Sequence, residues 1–434
     1  MRSALRNSGV CALALLAAFA RVAGAQAQVD VPKPVPAQRE DQSVTIVVTG
    51  DVGINSSNQP VDPRGGYKSG FHAWADTTSE IASDINGDLN FFNLETVVTD
   101  RNDLEADTKG QSGPFNFRMH PEGLRHLVGK GFNLVSMANN HSMDYGVAGL
   151  KETLRHVGTL RGNGILAAAG IGMTREEASR PFVVRVKGND IAFAAIGIVT
   201  NNLERHRAAP DRPGQIAYRF DDDWAEARRR LLQTKASLRI LSIHYGYEGR
   251  VRTDETQIAQ WRGEAAMRDG IDLIIGHHAH VVRGVELTPN GSLIFYGLGN
   301  FLHLGTANMT SSGICRDYGL LGRVHLRRGT DGKLVIRAVE AIPVTDTHFR
   351  PRRLTGEQGA ARVHALNYLA ATLDDPSGKA RGLRFTPQNS GSGLYCVPGA
   401  DKDPGRIGAL CRNFQLAPPI PATLQSQIAA SCSK

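Results

Sequence analysis

Short apolar runs separated by stretches of helical periodicity recur along the chain from residue 44. Val44-Thr45-Ile46-Val47-Val48-Thr49 is almost entirely β-branched and ends in Gly50-Asp51, which is how a strand covered on both faces reads where its backbone turns away. The segments 89–95, 133–137, 191–198, 238–243, 272–275 and 293–296 repeat that form. Between them, 121–130, 147–157, 221–235 and 256–268 are read as helices; in 221–235 Trp224, Ala227, Leu231 and Leu232 line one side, the mark of a helix with one buried face. A further helix is predicted over 71–85. Strands alternating with helices make the expected fold class α/β, built in layers.

The two ends of the chain depart from this pattern. Arg2 and Arg6 precede an apolar run from Cys11 to Ala20, and Ala23-Gly24-Ala25 is a small-residue cleavage signal, so 1–25 is read as a secretion signal. The alternative, a retained anchor, asks for about 20 apolar residues, and Arg21 interrupts the run first. Residues 26–42, with Pro32, Pro34 and Pro36, read as a linker,; 43–348 then forms the main domain. In 349–434 the pattern weakens to one helix within 351–375, followed by a Gly-, Pro- and Ser-rich stretch around cysteines. Export puts Cys315, Cys396, Cys411 and Cys432 in an oxidising compartment, periplasmic or extracellular. Three pairings are open, of which Cys396–Cys411 with Cys315–Cys432 is favoured. The formal charge is +8, but Arg2, Arg6 and Arg21 belong to the signal. The remainder is mildly basic, with Lys and Arg scattered, which suits an anionic polymer and matches no nucleic-acid motif.

Each strand also delivers a polar group at its carboxyl end, where open α/β sheets bind ligands. Asp51 and Glu95 close two runs, Asn140-His141 follows a third, His244 a fourth, and Gly276-His277-His278-Ala279-His280 a fifth. On extended backbone His278 and His280 face one way and His277 the other. Asp51, Glu95, Asn140, His244, His278 and His280 offer mixed oxygen and imidazole donors, suited to Zn, Mn or Fe. If Glu95 bridges, one divalent ion takes Asp51, Glu95 and His280, and the other Glu95, Asn140, His244 and His278. Such a pair acidifies water and clamps attacking and leaving oxygens. His141 is then the candidate general acid with Asp144 orienting it, and Glu248 either relays a proton or supports His244. Asn300 is expected to shape the pocket.

Gly50-Asp51, Asn93-Leu94-Glu95, Ala138-Asn139-Asn140-His141 with Asp144 and Gly146, His244-x-Gly246-x-Glu248, Gly276-x-His278-x-His280 and Leu298-Gly299-Asn300-Phe301 occur in that order. In these motifs the chain, from about Val44 to Arg328, resembles the CapA family of poly-γ-glutamate capsule synthesis proteins, whose domain is similar to calcineurin-like metallophosphoesterases. The resemblance implies a four-layer α-β-β-α sandwich with metals at its rim. Phosphoesterases usually open with Asp-x-His, whereas Asp51 is followed by Val52-Gly53. The first ion position therefore loses an imidazole, and one tight ion with a second that is weaker or absent is expected. Three functions fit: a metal-dependent hydrolase or transferase acting on a capsule or envelope polymer or peptide, a non-catalytic factor that binds polyglutamate during assembly or export, and a metal-dependent peptide epimerase.

Overall fold

In the computed structural model, which describes residues 42–54, 60–65, 72–199, 203–309, 312–378 and 380–433, the strand Val44–Ile54 is buried at every position. The signal and all of the linker but residue 42 lie outside the described residues. Val44–Ile54 runs parallel to Leu89–Leu94, which runs parallel to Leu134–Ser136. Their ten-stranded sheet has the order Thr386–Pro387, Gly393–Cys396, Leu334–Thr345, Gly319–Arg328, Val44–Ile54, Leu89–Leu94, Leu134–Ser136, Ala167–Ala169, with Asn300–Leu304 also paired to Val44–Ile54. A six-stranded sheet holds Val285–Leu287, Leu293–Phe295, Leu273–His277, Leu238–His244, Asn189–Gly197 and Phe182–Val186 in that order.

Alternating side chains on these strands feed different cores. Phe91 joins Phe193, Ile240 and Ile275 between the sheets. Its neighbour Phe92 turns outward to Leu124, Leu127, Leu150 and Val157, which lie on the helices Pro121–Gly129 and Gly146–Leu160. Across the molecule Ala194 turns outward to Ala227, Leu231, Trp261 and Ala265 on the helices Asp221–Gln233 and Glu255–Ala266. Helix, sheet, sheet and helix are thus stacked in the four layers that the resemblance implies, and strands buried on both faces read as continuous apolar runs for that reason.

The chain shifts register in Val44–Ile54 between Val48 and Asp51. Val44, Ile46 and Val48 point between the sheets, but Val52 and Ile54 point to the helix side, so the bulge re-aims Asp51 and Gly53 inward. Gly50 is required there, because a Cβ would lie 1.7 Å from the Gly299 carbonyl oxygen.

Two expectations fail. The predicted 71–85 helix is only Trp74–Thr77 and a 3₁₀ turn at Ala82–Asp84. Thr77 and Ser79 hydroxyls donate to the carbonyls of Trp74 and Asp76, local bonds that compete with a helical ladder. The stretch after residue 375, where no further element was expected, adds Gly393–Cys396 to the large sheet beside Leu334–Thr345 and ends in the helices Gly405–Cys411 and Ala422–Cys432. Its cysteines pair as Cys396–Cys411 and Cys315–Cys432. The last helix buries Ile428 and Cys432 against Ala279 and Val281, so the tail backs the loop that carries His280. Among the described residues no helix is long and apolar enough to cross a membrane.

Candidate metal centre

Parallel pairing within each sheet brings the strand ends to one rim, and the bulge at Asp51 turns that carboxylate toward the opposing sheet. Around His244 Nε2 the structure gathers Asn140 Oδ1 at 2.6 Å, His278 Nδ1 at 3.0 Å and Glu95 Oε1 at 3.3 Å. Asp51 Oδ2 lies 3.3 Å from His280 Nδ1, and Glu95 Oε1 lies 4.0 Å from His280 Nε2. All six candidate ligands therefore meet, and Glu95 stands between the two groups. His278 and His280 converge by a different route from the one expected: they are not on extended backbone but have φ of +93° and +57°. Positive φ at non-glycine residues is strained and concentrates at functional sites. Ala279 and Val281, buried under the tail, hold the loop in that shape.

His277 does not point elsewhere. The strand runs through it, so it shares the inner face with Ile275. Its Nδ1 lies 2.6 Å from His244 Nδ1 and its Nε2 2.6 Å from the Ser242 hydroxyl. Burial, and then the neighbouring His244, push its pKa down to about 3, so it is neutral. Asn93 Nδ2 donates to Asp51 Oδ1 at 2.8 Å and the backbone N–H of His278 to Asp51 Oδ2 at 3.2 Å, fixing the carboxylate. Asn300 Oδ1 lies 2.8 Å from His280 Nδ1, where it orients that ring.

Burial alone would raise both acids. His280 and His244 more than offset it, so Glu95 is held well below the ordinary carboxylate range and Asp51 is lowered. Conversely, burial opposes a charge on His280, yet Glu95 and Asp51 raise its pKa to about 10. Both carboxylates are thus held ionised, the form in which they can ligate a cation. Glu95 Oε1 and Oε2 and both ring nitrogens of His303 are buried without a hydrogen-bond partner, a cost of about 1–3 kcal/mol per group unless something else engages them. The groups Asp51–His244–His277, Glu95–His244–His278 and Glu95–His280–His303 each bring three donor atoms within 4.8 Å of one another. Such a set of carboxylate oxygens and imidazole nitrogens fits a divalent ion.

A cavity of about 600 Å³ opens over the centre, lined by Lys109, His141, Arg219, Glu248, His278 and His280 among others. On its wall, His141 Nδ1 lies 2.7 Å from Asp144 Oδ2, and Phe117 stacks on the imidazole at 3.7 Å between ring centroids. The Phe117 N–H donates to the same Asp144 oxygen at 2.6 Å, and the Lys109 ammonium pairs with the other. Burial and Lys109 lower the His141 pKa while Asp144 raises it; the net direction is down. Glu248 is exposed at the rim. Among the described residues the groups that meet His244 are His277, Asn93, Asn140, His278 and Glu95, and Glu248 is not one of them.

Sequence reasoning passed over Asn93, Lys109 and His303 as site residues. Asn93 precedes Glu95 by two and so shares its face, a signal present in the strand. His303 stands three residues after Asn300 on the same strand, two residues past the end of the last motif. Lys109 lies in an aperiodic polar loop and carries no signal at all.

The protein is a layered α/β sandwich whose strand ends gather acids, an amide and imidazoles into a candidate divalent-metal centre. Residues 45–304 match the family model described as bacterial capsule synthesis protein PGA_cap, and the chain belongs to that family. It is 27% identical over 254 residues to the PGA biosynthesis protein CapA of Bacillus subtilis, covering 57% of this chain and 60% of that protein. With the capsule biosynthesis protein CapA of Bacillus anthracis the identity is 25% over 268 residues, 61% of each chain. A polyglutamine synthesis accessory protein of Mycobacterium tuberculosis, so named with the qualifier probable, is 30% identical over 224 residues, 49% of this chain and 55% of that one. The matches thus span about 60% of the length of the two Bacillus relatives. The NAD nucleotidase of Haemophilus influenzae superposes with a TM-score of 0.38 at 13% identity over 90% of this chain and 67% of that one.

Proposed function

We propose that this protein is an exported metal-dependent hydrolase or transferase acting on an anionic polymer or peptide in capsule or envelope metabolism. The observation that carries the reading is Glu95: a fully buried carboxylate whose two oxygens have no hydrogen-bond partner among the described residues, ringed by imidazoles of which His278, His280 and His303 line a cavity. Asp51, Glu95 and His280 would hold one divalent ion, and Glu95, Asn140, His244 and His278 the other. When bound, such ions supply Lewis acidity and acidify water beside them. The second set, with four donors, is the tighter.

The chain's own groups do the rest. Asp144 engages His141 Nδ1, which leaves Nε2 to take up a proton and pass it to a leaving oxygen or nitrogen. Phe117, stacked on the ring, keeps it from turning. Arg219 gives the cavity wall a positive group suited to carboxylate-bearing substrates,, and Glu248 at the rim limits how many anionic groups enter together. Export is supported by the signal-like N-terminus and by two disulfides.

The test is turnover of γ-linked oligoglutamate and of simple phosphodiesters by purified, metal-loaded protein. His141→Ala should lower kcat by about 10²–10⁴-fold with metal content unchanged, and activity that ignores the substitution refutes the role given to His141. The relative named as an accessory protein supports a second reading, a polymer-binding assembly factor. Polymer binding that survives chelation, with no turnover of any substrate, would select it.

A further inference from the structure

We propose that His303 is a ligand of the ion position shared by Asp51, Glu95 and His280, and so gives that position the imidazole that Gly53 cannot. The inference rests on the metal-centre reading above and adds a residue to it.

His303 sits on Asn300–Leu304, which pairs in parallel with Val44–Ile54 and sets Gly53 opposite His303. Leu302 and Leu304 turn to the helix side, so His303 turns to the centre. It is 1% exposed, and its Nε2 approaches Glu95 Oε2 at 3.5 Å, too long for a hydrogen bond. Neither ring nitrogen has a hydrogen-bond partner among the described residues. A histidine kept only for packing normally has one, and the rings beside this one are Phe117 at 5.1 Å and His280 at 5.2 Å, both edge-on. A ligand atom of His303 lies within 4.8 Å of one from Glu95 and one from His280.

Gly53 explains how the ring fits. Residue 53 faces inward with Asp51, and a Cβ there would lie 2.9 Å from Nε2 and 3.2 Å from Cδ2 of His303. A side chain at 53 and the imidazole of 303 cannot share that space. The glycine and the histidine are therefore two halves of one arrangement, in which the neighbouring strand supplies the donor. The gap in affinity expected between the two ion positions narrows accordingly.

The test is elemental analysis of the purified full-length protein after loading with Zn²⁺ and exhaustive dialysis, on wild type and His303→Phe. Wild type should keep two ions and His303→Phe one, with the lost ion bound at least ~10-fold more weakly. Metal-free His303→Phe should melt no lower than metal-free wild type, because the ring it replaces makes no hydrogen bond. Equal retention by the two proteins overturns the assignment and leaves the metal centre standing, whereas wild type that retains no ion overturns the centre itself. Should the variant not fold, wild-type crystals grown with Zn²⁺ decide: an anomalous peak about 2.0–2.1 Å from a His303 nitrogen supports the assignment, and a peak confined to the His244 side overturns it.

Discussion

Glu95 and Glu286 are both carboxylates without solvent exposure, yet they sit in regions built to different ends. Glu286, on the edge strand Val285–Leu287, accepts from Arg262 Nε at 2.7 Å and Nη2 at 2.9 Å and from the Tyr296 hydroxyl at 3.0 Å. The chain has supplied its counterion in bidentate geometry. Glu95 accepts no hydrogen bond at either oxygen, and what surrounds it at 3.3–4.0 Å is imidazole. A buried acid kept for the fold finds its partner inside the chain, whereas one kept for chemistry is left facing groups that share its appetite for a cation.

Substitution by glutamine should separate the two most sharply. Glu95→Gln removes the charge and one oxygen of the only ligand common to both ion positions, so each ion should bind at least ~100-fold more weakly and dialysed protein should retain almost none. Metal content is the readout, because the metal-free variant also loses the attraction between Glu95 and the imidazoles of His280 and His244. A Glu95→Gln protein that keeps both ions would erase the contrast. Glu286→Gln should do the reverse. Leaving Arg262 without its counter-charge costs toward the lower end of about 3–5 kcal/mol, the low end because the Arg262 side chain is 23% exposed. Urea unfolding reads that loss, and metal content should not move.

The same contrast explains how far the sequence could be read. Strands buried on both faces announce themselves as β-branched runs, so Val44–Ile54, Leu238–His244 and Leu273–His277 were visible, and with them Asp51, His244 and His278 at their ends. Grouping by strand end needs only alternation and parallel pairing, which is why the six candidate ligands could be named together. What alternation cannot see is backbone that leaves the extended region. His278 and His280 converge through positive φ, and the bulge before Asp51 shifts the inward face by one residue. Nor can it see across strands: His303 matters because of Gly53 on the neighbouring strand, and Lys109 because a loop folds over Asp144. The tail was illegible for another reason. Gly393–Cys396 is four residues long and becomes a strand because Leu334–Thr345 offers it an edge, a tertiary cause that local composition does not carry.

The smallest effect concerns a third buried acid that sharpens the comparison because its partners are mixed. Glu340 accepts from Arg323 Nη1 at 3.1 Å and lies 2.8 Å from His325 Nε2. Burial would raise its pKa, but the His325 contact and the Arg323 charge bring it down to about 2 from an ordinary 4.5. A carboxyl whose folded pKa is depressed binds fewer protons folded than unfolded, so its contribution is present above the unfolded value and is lost as pH falls toward the folded one. The window is therefore about pH 4.5 down to 2. At roughly 1.4 kcal/mol per pH unit the ceiling is about 3 kcal/mol, and the 15% exposure of the side chain reduces the expectation to about 1–2 kcal/mol. Urea unfolding of metal-free protein at pH 6 and pH 3 should show that Glu340→Gln lowers stability at pH 6 and narrows the loss on acidification by part of that amount, because pH 3 still lies above the folded value of about 2,. If Glu340→Gln and wild type lose equal stability between the two pH values, Glu340 is not held by its partners in the way Glu286 is. The division between acids satisfied by the fold and the one acid left for a cation would then need a different physical basis.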